Sequence, residues 1–108
     1  MSQKSNYVVI LVTAKDKKEA EKISRYLLEK KLVACVNVLP GIQSMFWWEG
    51  KIDQSAETLL IIKSKRKLFK EIVSAVRAVH SYSVPEIIAL PIVEGHHDYL
   101  KWVYDSLR

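Results

Sequence analysis

The chain contains few of the residues that most often shape loops and covalent frameworks. Among its 108 residues there are one cysteine, three glycines and three prolines. The single cysteine, Cys35, excludes an intrachain disulfide framework and is typical of a reducing compartment, so we expect a cytoplasmic protein. The scarcity of glycine and proline excludes a linker or low-complexity segment. At this length, the sequence predicts a single domain over residues 1–108.

Long apolar runs are also missing. The longest, Tyr7–Val12 and Thr58–Ile62, have the length of a strand and are far shorter than a membrane-spanning helix. The N-terminal residues MSQKSN lack the apolar core of a secretion signal. A net charge of +5 is moderate and does not by itself indicate nucleic-acid binding. We therefore expect neither a membrane nor a nucleic acid as a partner.

Sequence signatures of catalysis are absent as well. The chain has no glycine-rich phosphate loop, no Ser-His-Asp set and no CxxC pair. An acylphosphatase would need a phosphate-binding loop with an arginine after the first strand, where this chain has Ala14-Lys15-Asp16. The sequence therefore predicts that the protein is not an enzyme.

The most informative segment that is present is residues 34–64, which predicts a long β-hairpin turning at Glu49-Gly50-Lys51. Its first strand would extend roughly 50 Å at about 3.3 Å per residue. A chain of this size has a radius of gyration of roughly 13 Å, so the hairpin must overhang its own domain or bend, and Pro40-Gly41 offers a place to bend. Three aromatic residues precede the turn, which predicts that the overhang packs against other subunits; they are Phe46, Trp47 and Trp48.

The residues before the hairpin predict a strand followed by a helix. Tyr7–Thr13 is a β-branched run that is typical of a central strand. Asp16 is expected to be the N-cap of a helix over residues 17–31, with Glu19 completing a capping box. This helix carries one apolar stripe.

The residues after the hairpin predict a helix, a strand and a short closing helix. Ser64 is expected to cap a helix over residues 65–79, and a fourth strand is expected over Glu86–Val93. A last helix is predicted over Asp98–Leu107. The order βαββαβ predicts an α+β fold of the ferredoxin-like type, with four antiparallel strands, a long β-hairpin and a short C-terminal helix.

Several motifs, in this order and spacing, resemble the CutA divalent-cation-tolerance family. They are Ala34-Cys35-Val36-Asn37 with Pro40, the turn at 47–51, Ile61-Ile62-Lys63, His80-x-Tyr82-x-Val84-Pro85-Glu86, and Tyr99-Leu100-x-Trp102. The resemblance implies a homotrimer tied together by the hairpins, a divalent metal ion such as copper as a ligand, and a role in metal tolerance. Because the family's trimer is similar in shape to PII signal proteins, the alternative is a PII-like sensor or scaffold that binds a small anion between subunits.

The family's copper ligands are only partly present. The cysteine position reads Val12, and the paired histidine position reads Val79-His80, so His80 alone remains of that set. Other donors of the kind that copper and zinc prefer lie elsewhere. The predicted metal ligands are His80, Cys35, His96 and His97. Each also has a structural interpretation: a helix-capping histidine for His80, a small buried hydrophobe for Cys35, and polar loop residues for the adjacent pair.

The resemblance also suggests a cleft, lined by Cys35, Lys63, His80, Tyr82, Glu86 and Trp102. We expect Lys63 and Glu86 to lie side by side at strand ends, either as part of a binding site or as a structural ion pair. A basic run follows Lys63 at the start of the second helix, and it comprises Lys65, Arg66, Lys67 and Lys70. It is either a solvated turn or a phosphate site.

Overall fold

The computed structural model describes residues 6–108, which form one four-stranded antiparallel sheet with helices. The elements are β1 (Tyr7–Ala14), α1 (Lys17–Glu29), β2 (Cys35–Trp48), β3 (Lys51–Lys65), α2 (Phe69–Val79), β4 (Ile87–Pro91) and α3 (His97–Ser106). The strand order β2-β3-β1-β4 confirms the predicted ferredoxin-like arrangement and places β1 inside the sheet. None of the helices in residues 6–108 is long and apolar enough to cross a membrane.

The core lies between one face of the sheet and the first two helices. Alternate residues of β1 point inward, and Val8, Ile10 and Val12 are almost completely buried. They pair with inward-facing residues of β3, as the period of two along a strand requires. The helices contribute the apolar stripes that the sequence predicts, with Ile23 and Ile72 fully buried.

The first helix begins where the sequence predicts and ends two residues earlier. Asp16 is the N-cap, and its carboxylate accepts the backbone N–H of Glu19 at 2.8 Å. Glu19 completes a variant of the capping box, because its carboxylate accepts the N–H of Lys15 and not that of the cap residue. Lys31 adopts a left-handed conformation with φ of 56°, which ends the helix before it.

The predicted start of the second helix is wrong. Ser64 is not an N-cap but a fully buried residue of β3, and its hydroxyl donates to the carbonyl of Leu32 at 2.6 Å. β3 continues to Lys65 and is followed by a 3₁₀ turn at Arg66–Leu68, so α2 starts only at Phe69. Pairing with β1 extends β3 past the serine, because Tyr7 lies opposite Lys65. Cross-strand hydrogen bonding therefore overrides the local capping signal.

The last two elements also differ from the predicted bounds. β4 spans Ile87–Pro91 and is shorter than the predicted Glu86–Val93, although the Ile92 N–H still donates to the Tyr7 carbonyl at 2.9 Å. α3 begins at His97, one residue before the predicted start, and His96 is its N-cap. β4 pairs with β1 and lies at the edge of the sheet, as the internal proline predicts.

The hairpin of β2 and β3 extends beyond the rest of the sheet. Its register shifts between Leu39 and Ile42, which confirms the irregularity expected at Pro40-Gly41. Glu49 and Gly50 both have positive φ and form the two-residue turn. β1 pairs with β3 only from Thr58 onward, so the tip is a two-stranded ribbon. Both faces of this ribbon carry apolar side chains, and its exposed large apolar residues are Met45, Phe46, Trp47, Trp48 and Ile52.

The sheet has a second face, which points away from the first two helices. Val9, Leu11 and Ile61 are half-buried there. Towards the two edge strands this face carries Leu39, Ile88 and Leu90, each of which is about half exposed. We refer to it as the open sheet face. The sequence-based prediction placed intersubunit packing at the hairpin tip and did not identify this surface.

Candidate functional site

The structure divides the predicted cleft residues between the two ends of the sheet. Strands β3 and β4 both run antiparallel to β1 and are therefore parallel to each other. Lys63 lies near the end of β3, whereas Glu86 lies just before the start of β4. Lys63 and Leu90 both pair with Val9, and Glu86 is four residues from Leu90, which is about 13 Å along the strand. Within one chain, the predicted Lys63–Glu86 ion pair is therefore wrong.

At one end, Cys35 and Lys63 face each other across β2 and β3. The Lys63 Nζ lies 3.8 Å from the Cys35 Sγ and donates a hydrogen bond to the Asn37 Oδ1. An ammonium group there disfavours a second cation, because like charges repel at this separation. The pair is therefore better suited to an anion than to a metal ion. We call these residues, with Tyr99 and Trp102, the Cys35 cluster.

The helix α3 completes the Cys35 cluster from the side. Partial burial raises the pKa of Tyr99, and the Cys35 thiol beside it raises the pKa further. The Trp102 ring lies 5.6 Å from the Tyr99 ring, measured between centroids. Of the residues predicted to line one cleft, Cys35, Lys63 and Trp102 therefore lie together at this end of the sheet. His80, Tyr82 and Glu86 lie elsewhere.

At the opposite end, His80 holds together the loop between α2 and β4. Its side chain is fully buried. The Nδ1 atom lies 3.0 Å from the backbone nitrogen of Tyr82, whose N–H donates to it, and the Nε2 atom lies 2.8 Å from the Thr13 carbonyl oxygen. This pattern requires the Nε2–H tautomer and leaves no lone pair for a metal. Both ring nitrogens of His80 are therefore engaged within the protein, which disagrees with the predicted role as a metal ligand. The residue instead fixes the loop to β1.

Two carboxylates that the sequence reasoning missed as site residues complete this end. The Glu19 carboxylate accepts backbone N–H groups from Lys15 at 3.0 Å and from Ser81 at 2.7 Å. Burial acts to raise the pKa of Glu19, but these hydrogen bonds outweigh it and the pKa falls below its ordinary value. The capping-box pattern identifies Glu19 as a local cap but carries no information about Ser81, which lies 62 residues away.

Glu57 is the second of these carboxylates. It accepts a hydrogen bond from the Tyr82 hydroxyl at 2.6 Å. Burial raises the pKa of Tyr82, and the hydrogen bond to Glu57 raises it further. The only sequence signal for Glu57 is a carboxylate directly before the apolar run of β3. With His80, whose ring centroid lies 4.7 Å from that of Tyr82, these residues form the Glu19 network.

The paired histidines lie at the start of α3. His96 caps α3, and its Nδ1 accepts the N–H of Asp98 at 3.1 Å. The His97 side chain is 89% exposed, and its Nδ1 lies 3.4 Å from the Asp98 carboxylate. Across residues 6–108, His, Cys, Asp and Glu side chains form no group of three that could hold a metal ion. A copper site built from the predicted ligands of one chain therefore does not fit, whereas His97 and Asp98 offer two accessible donors.

Comparison with known proteins decides the family. Residues 8–106 match the family described as CutA1 divalent ion tolerance protein. The chain belongs to this family. It is 46% identical over 99 residues to the divalent-cation tolerance protein CutA of Archaeoglobus fulgidus, covering 92% of this chain and 96% of that protein. It is 45% identical over 101 residues to the chloroplastic CutA 1 of Oryza sativa; this alignment covers 94% of the chain but only 57% of the rice protein.

A solved structure from Archaeoglobus fulgidus, described as a periplasmic divalent cation tolerance protein CutA, has the same CutA fold. It superposes with a TM-score of 0.92 at 44% sequence identity, over 94% of this chain and 99% of that one. The family is named for tolerance of divalent cations and not for a catalysed reaction. The rice relative is named as a chloroplastic protein, and the solved structure from Archaeoglobus fulgidus is named as that of a periplasmic protein.

Proposed function

We propose that the chain acts in divalent-cation tolerance as a homotrimer, and that it binds the cation weakly, with copper as the first candidate. Membership of the CutA family supports the tolerance role. The single observation that carries the assembly is the exposed apolar ribbon, in which the Trp47 and Met45 side chains are 73% and 68% exposed. The lone cysteine supports a reducing compartment, and we place the protein in the cytoplasm.

The arrangement of the ribbon side chains favours a closed ring of subunits. Met45 and Trp47 lie on one face of the ribbon together with Ile52, which pairs with Trp47, whereas Phe46 and Trp48 lie on the other. A ribbon that is apolar on both faces requires a neighbour on each side. A heterologous interface that closes into a ring provides this, and a trimer is the smallest such ring. The open sheet face supplies further apolar surface for the same contacts.

We propose the exposed His97–Asp98 pair as the copper ligands. Imidazole and carboxylate groups are suitable ligands for copper or zinc, but two donors from one chain give only weak binding. The Cys35 cluster is less suitable, because the Lys63 ammonium lies 3.8 Å from the sulfur. Weak binding is compatible with a tolerance role, since a cation that is held loosely is also released.

Titration with copper distinguishes the donors. Loss of a group that merely supports a metal ligand weakens binding by about 10–100-fold, so removal of a ligand is expected to weaken it by at least about tenfold. We therefore expect His97→Ala and Asp98→Asn each to reduce copper affinity by at least about tenfold in isothermal titration calorimetry. His80→Ala is the matched control, because a buried histidine should leave copper affinity unchanged.

Unchanged affinity in His97→Ala would contradict this assignment. Loss of copper binding in a folded His80→Ala protein would also contradict it and would restore the ligand predicted from the sequence. The same titration in Cys35→Ser tests the remaining sulfur donor, for which no change is expected. Circular dichroism of each variant shows whether the fold is retained.

The second candidate is a PII-like sensor or scaffold that binds a small anionic ligand between subunits. The observation that favours it is the Cys35 cluster, in which an ammonium and aromatic rings surround a thiol and an amide. Such a set suits a carboxylate or another small anion. Lys63→Gln should abolish anion binding in this case and leave copper titrations unchanged.

A further inference from the structure

A groove at the end of the sheet collects four of the eight lysine and arginine residues in the second half of the chain. It lies where β1 begins, β3 ends and α2 starts, and it has a volume of about 640 Å³. Pockets of this size accommodate small organic ligands. We call it the basic groove; it is lined by Asn6, Tyr7, Lys65, Arg66, Lys67, Lys70 and Tyr104.

No acidic residue is among the described residues that line the basic groove. Nearby carboxylates are engaged by other cations, since Glu71 pairs with Arg108 and Asp105 pairs with Lys101. The second large groove of the molecule differs, because Asp16 and Glu19 line it together with three lysines. The basic groove therefore concentrates positive charge in a concave surface, which is the electrostatic requirement for binding an anion.

Lys65 gives the groove a charge that is partly withdrawn from water. The residue is buried, and its Nζ lies 4.3 Å from the centre of the Tyr104 ring. Burial lowers the pKa of Lys65, and repulsion from Lys67 lowers it further. A bound anion would remove this repulsion. The attraction to the Tyr104 ring acts in the opposite direction and favours the charged form of Lys65.

The start of the second helix adds donors on the same side. The 3₁₀ turn at Arg66–Leu68 leads directly into α2, and Leu68 provides no side-chain cap. Acidic groups are the usual neighbours of a helix N-terminus, so lysines and arginine there oppose the helix dipole. An oxyanion in the groove would interact favourably with the helix dipole and with the exposed Lys67 and Lys70.

We propose that the basic groove binds a phosphate group of at least two negative charges, presented either by inorganic pyrophosphate or by a phosphate ester such as a nucleotide. Lys67 and Lys70 are exposed and free to move onto such a ligand, whereas Lys65 is held in place by Tyr104. Tyr104 is 55% exposed, so it also offers a surface for the organic part of an ester. The groove is formed by one chain and is separate from the His97–Asp98 pair.

Calorimetric titration of the full chain at low ionic strength tests this proposal, with pyrophosphate and ATP as the two probes. The double variant Lys67→Gln/Lys70→Gln removes two charge-assisted contacts, and we therefore expect it to bind pyrophosphate at least about tenfold more weakly. Equal affinity for the two probes would support recognition of the phosphates alone. Tighter binding of ATP, lost in Tyr104→Ala, would support recognition of an ester.

The matched control is Lys17→Gln/Lys18→Gln, which removes the same charge from exposed positions at the start of α1. Its affinity for pyrophosphate should stay within about twofold of the unmodified protein, because acidic residues balance the charge at that site. Equal weakening in the two double variants would overturn the proposal, since it would show only a general effect of net charge. Absence of saturable binding of both probes to the unmodified protein would overturn it as well.

Discussion

Replacing Trp47 with alanine is expected to dissociate the assembly into smaller species at concentrations where the unmodified protein stays intact. Trp47 is the most exposed aromatic side chain of the ribbon in the isolated chain, and it requires a neighbouring subunit to cover it. Truncation of a large aromatic at a buried site costs about 3–5 kcal/mol, and the cost recurs at each interface of a ring. Light scattering across a dilution series measures the change.

A matched control lies outside the ribbon. Val84 is 87% exposed in the loop before β4, so Val84→Ala removes apolar surface without touching the ribbon or the open sheet face. Its molar mass should remain that of the unmodified protein at every concentration. If Trp47→Ala instead kept the mass of the unmodified protein throughout the dilution series, the ribbon would not be the interface.

Glu19→Gln is expected to destabilise the folded protein by about 2–4 kcal/mol at neutral pH. The carboxylate accepts two backbone N–H groups, from Lys15 and Ser81. A glutamine can accept only one of them and presents its own NH₂ group to the other, so one partly buried donor loses its partner. Urea denaturation at pH 7 measures the loss. Glu21→Gln, at an exposed position of the same helix, is the control and should change stability little.

The effect of this substitution should depend on pH in a defined direction. The pKa of Glu19 in the folded protein lies below its ordinary value of 4.5. Its contribution to stability is therefore complete above 4.5 and is lost as the pH falls through the lower, folded-state pKa. The difference between the unmodified protein and Glu19→Gln should be largest near neutrality and should shrink in acid. A difference that stayed constant down to strongly acidic pH would contradict this role.

Local patterns were sufficient to predict most of the fold. The β-branched run of β1, the cap at Asp16 and the turn predicted at Glu49-Gly50-Lys51 each depend on neighbouring residues. The structure contains a strand, an N-cap and a turn at these places. Ser64 failed for the opposite reason. Its environment is decided by pairing with β1, more than fifty residues earlier in the chain, and a local capping pattern contains no information about that pairing.

The site was less predictable because its residues depend on strand direction. Lys63 lies near the end of β3, whereas Glu86 lies just before the start of β4. The expectation that they meet did not take into account that β3 and β4 are parallel. Parallel strands place the end of one beside the end of the other, and not beside its start. Cys35 and Lys63 do meet, because β2 and β3 are joined by the hairpin whose turn the sequence identifies.

His80 illustrates a second limit. An imidazole near a helix end has the same appearance in the sequence whether it binds a metal, caps the helix or fixes a loop. The structure decides between these roles through the two ring nitrogens, which contact Tyr82 and Thr13. The second contact spans 67 residues, so only the folded chain reveals it. Glu19 gains its contact with Ser81 in the same way.

The most direct test of the central proposal is the molar mass of the unmodified protein in solution. Sedimentation equilibrium or multi-angle light scattering at micromolar concentration should give three times the 12.5 kDa of one chain, without a dependence on concentration. The exposed ribbon and the open sheet face would then both be covered by neighbouring subunits. A stable species of 12.5 kDa would contradict the account, because the apolar ribbon would have no partner.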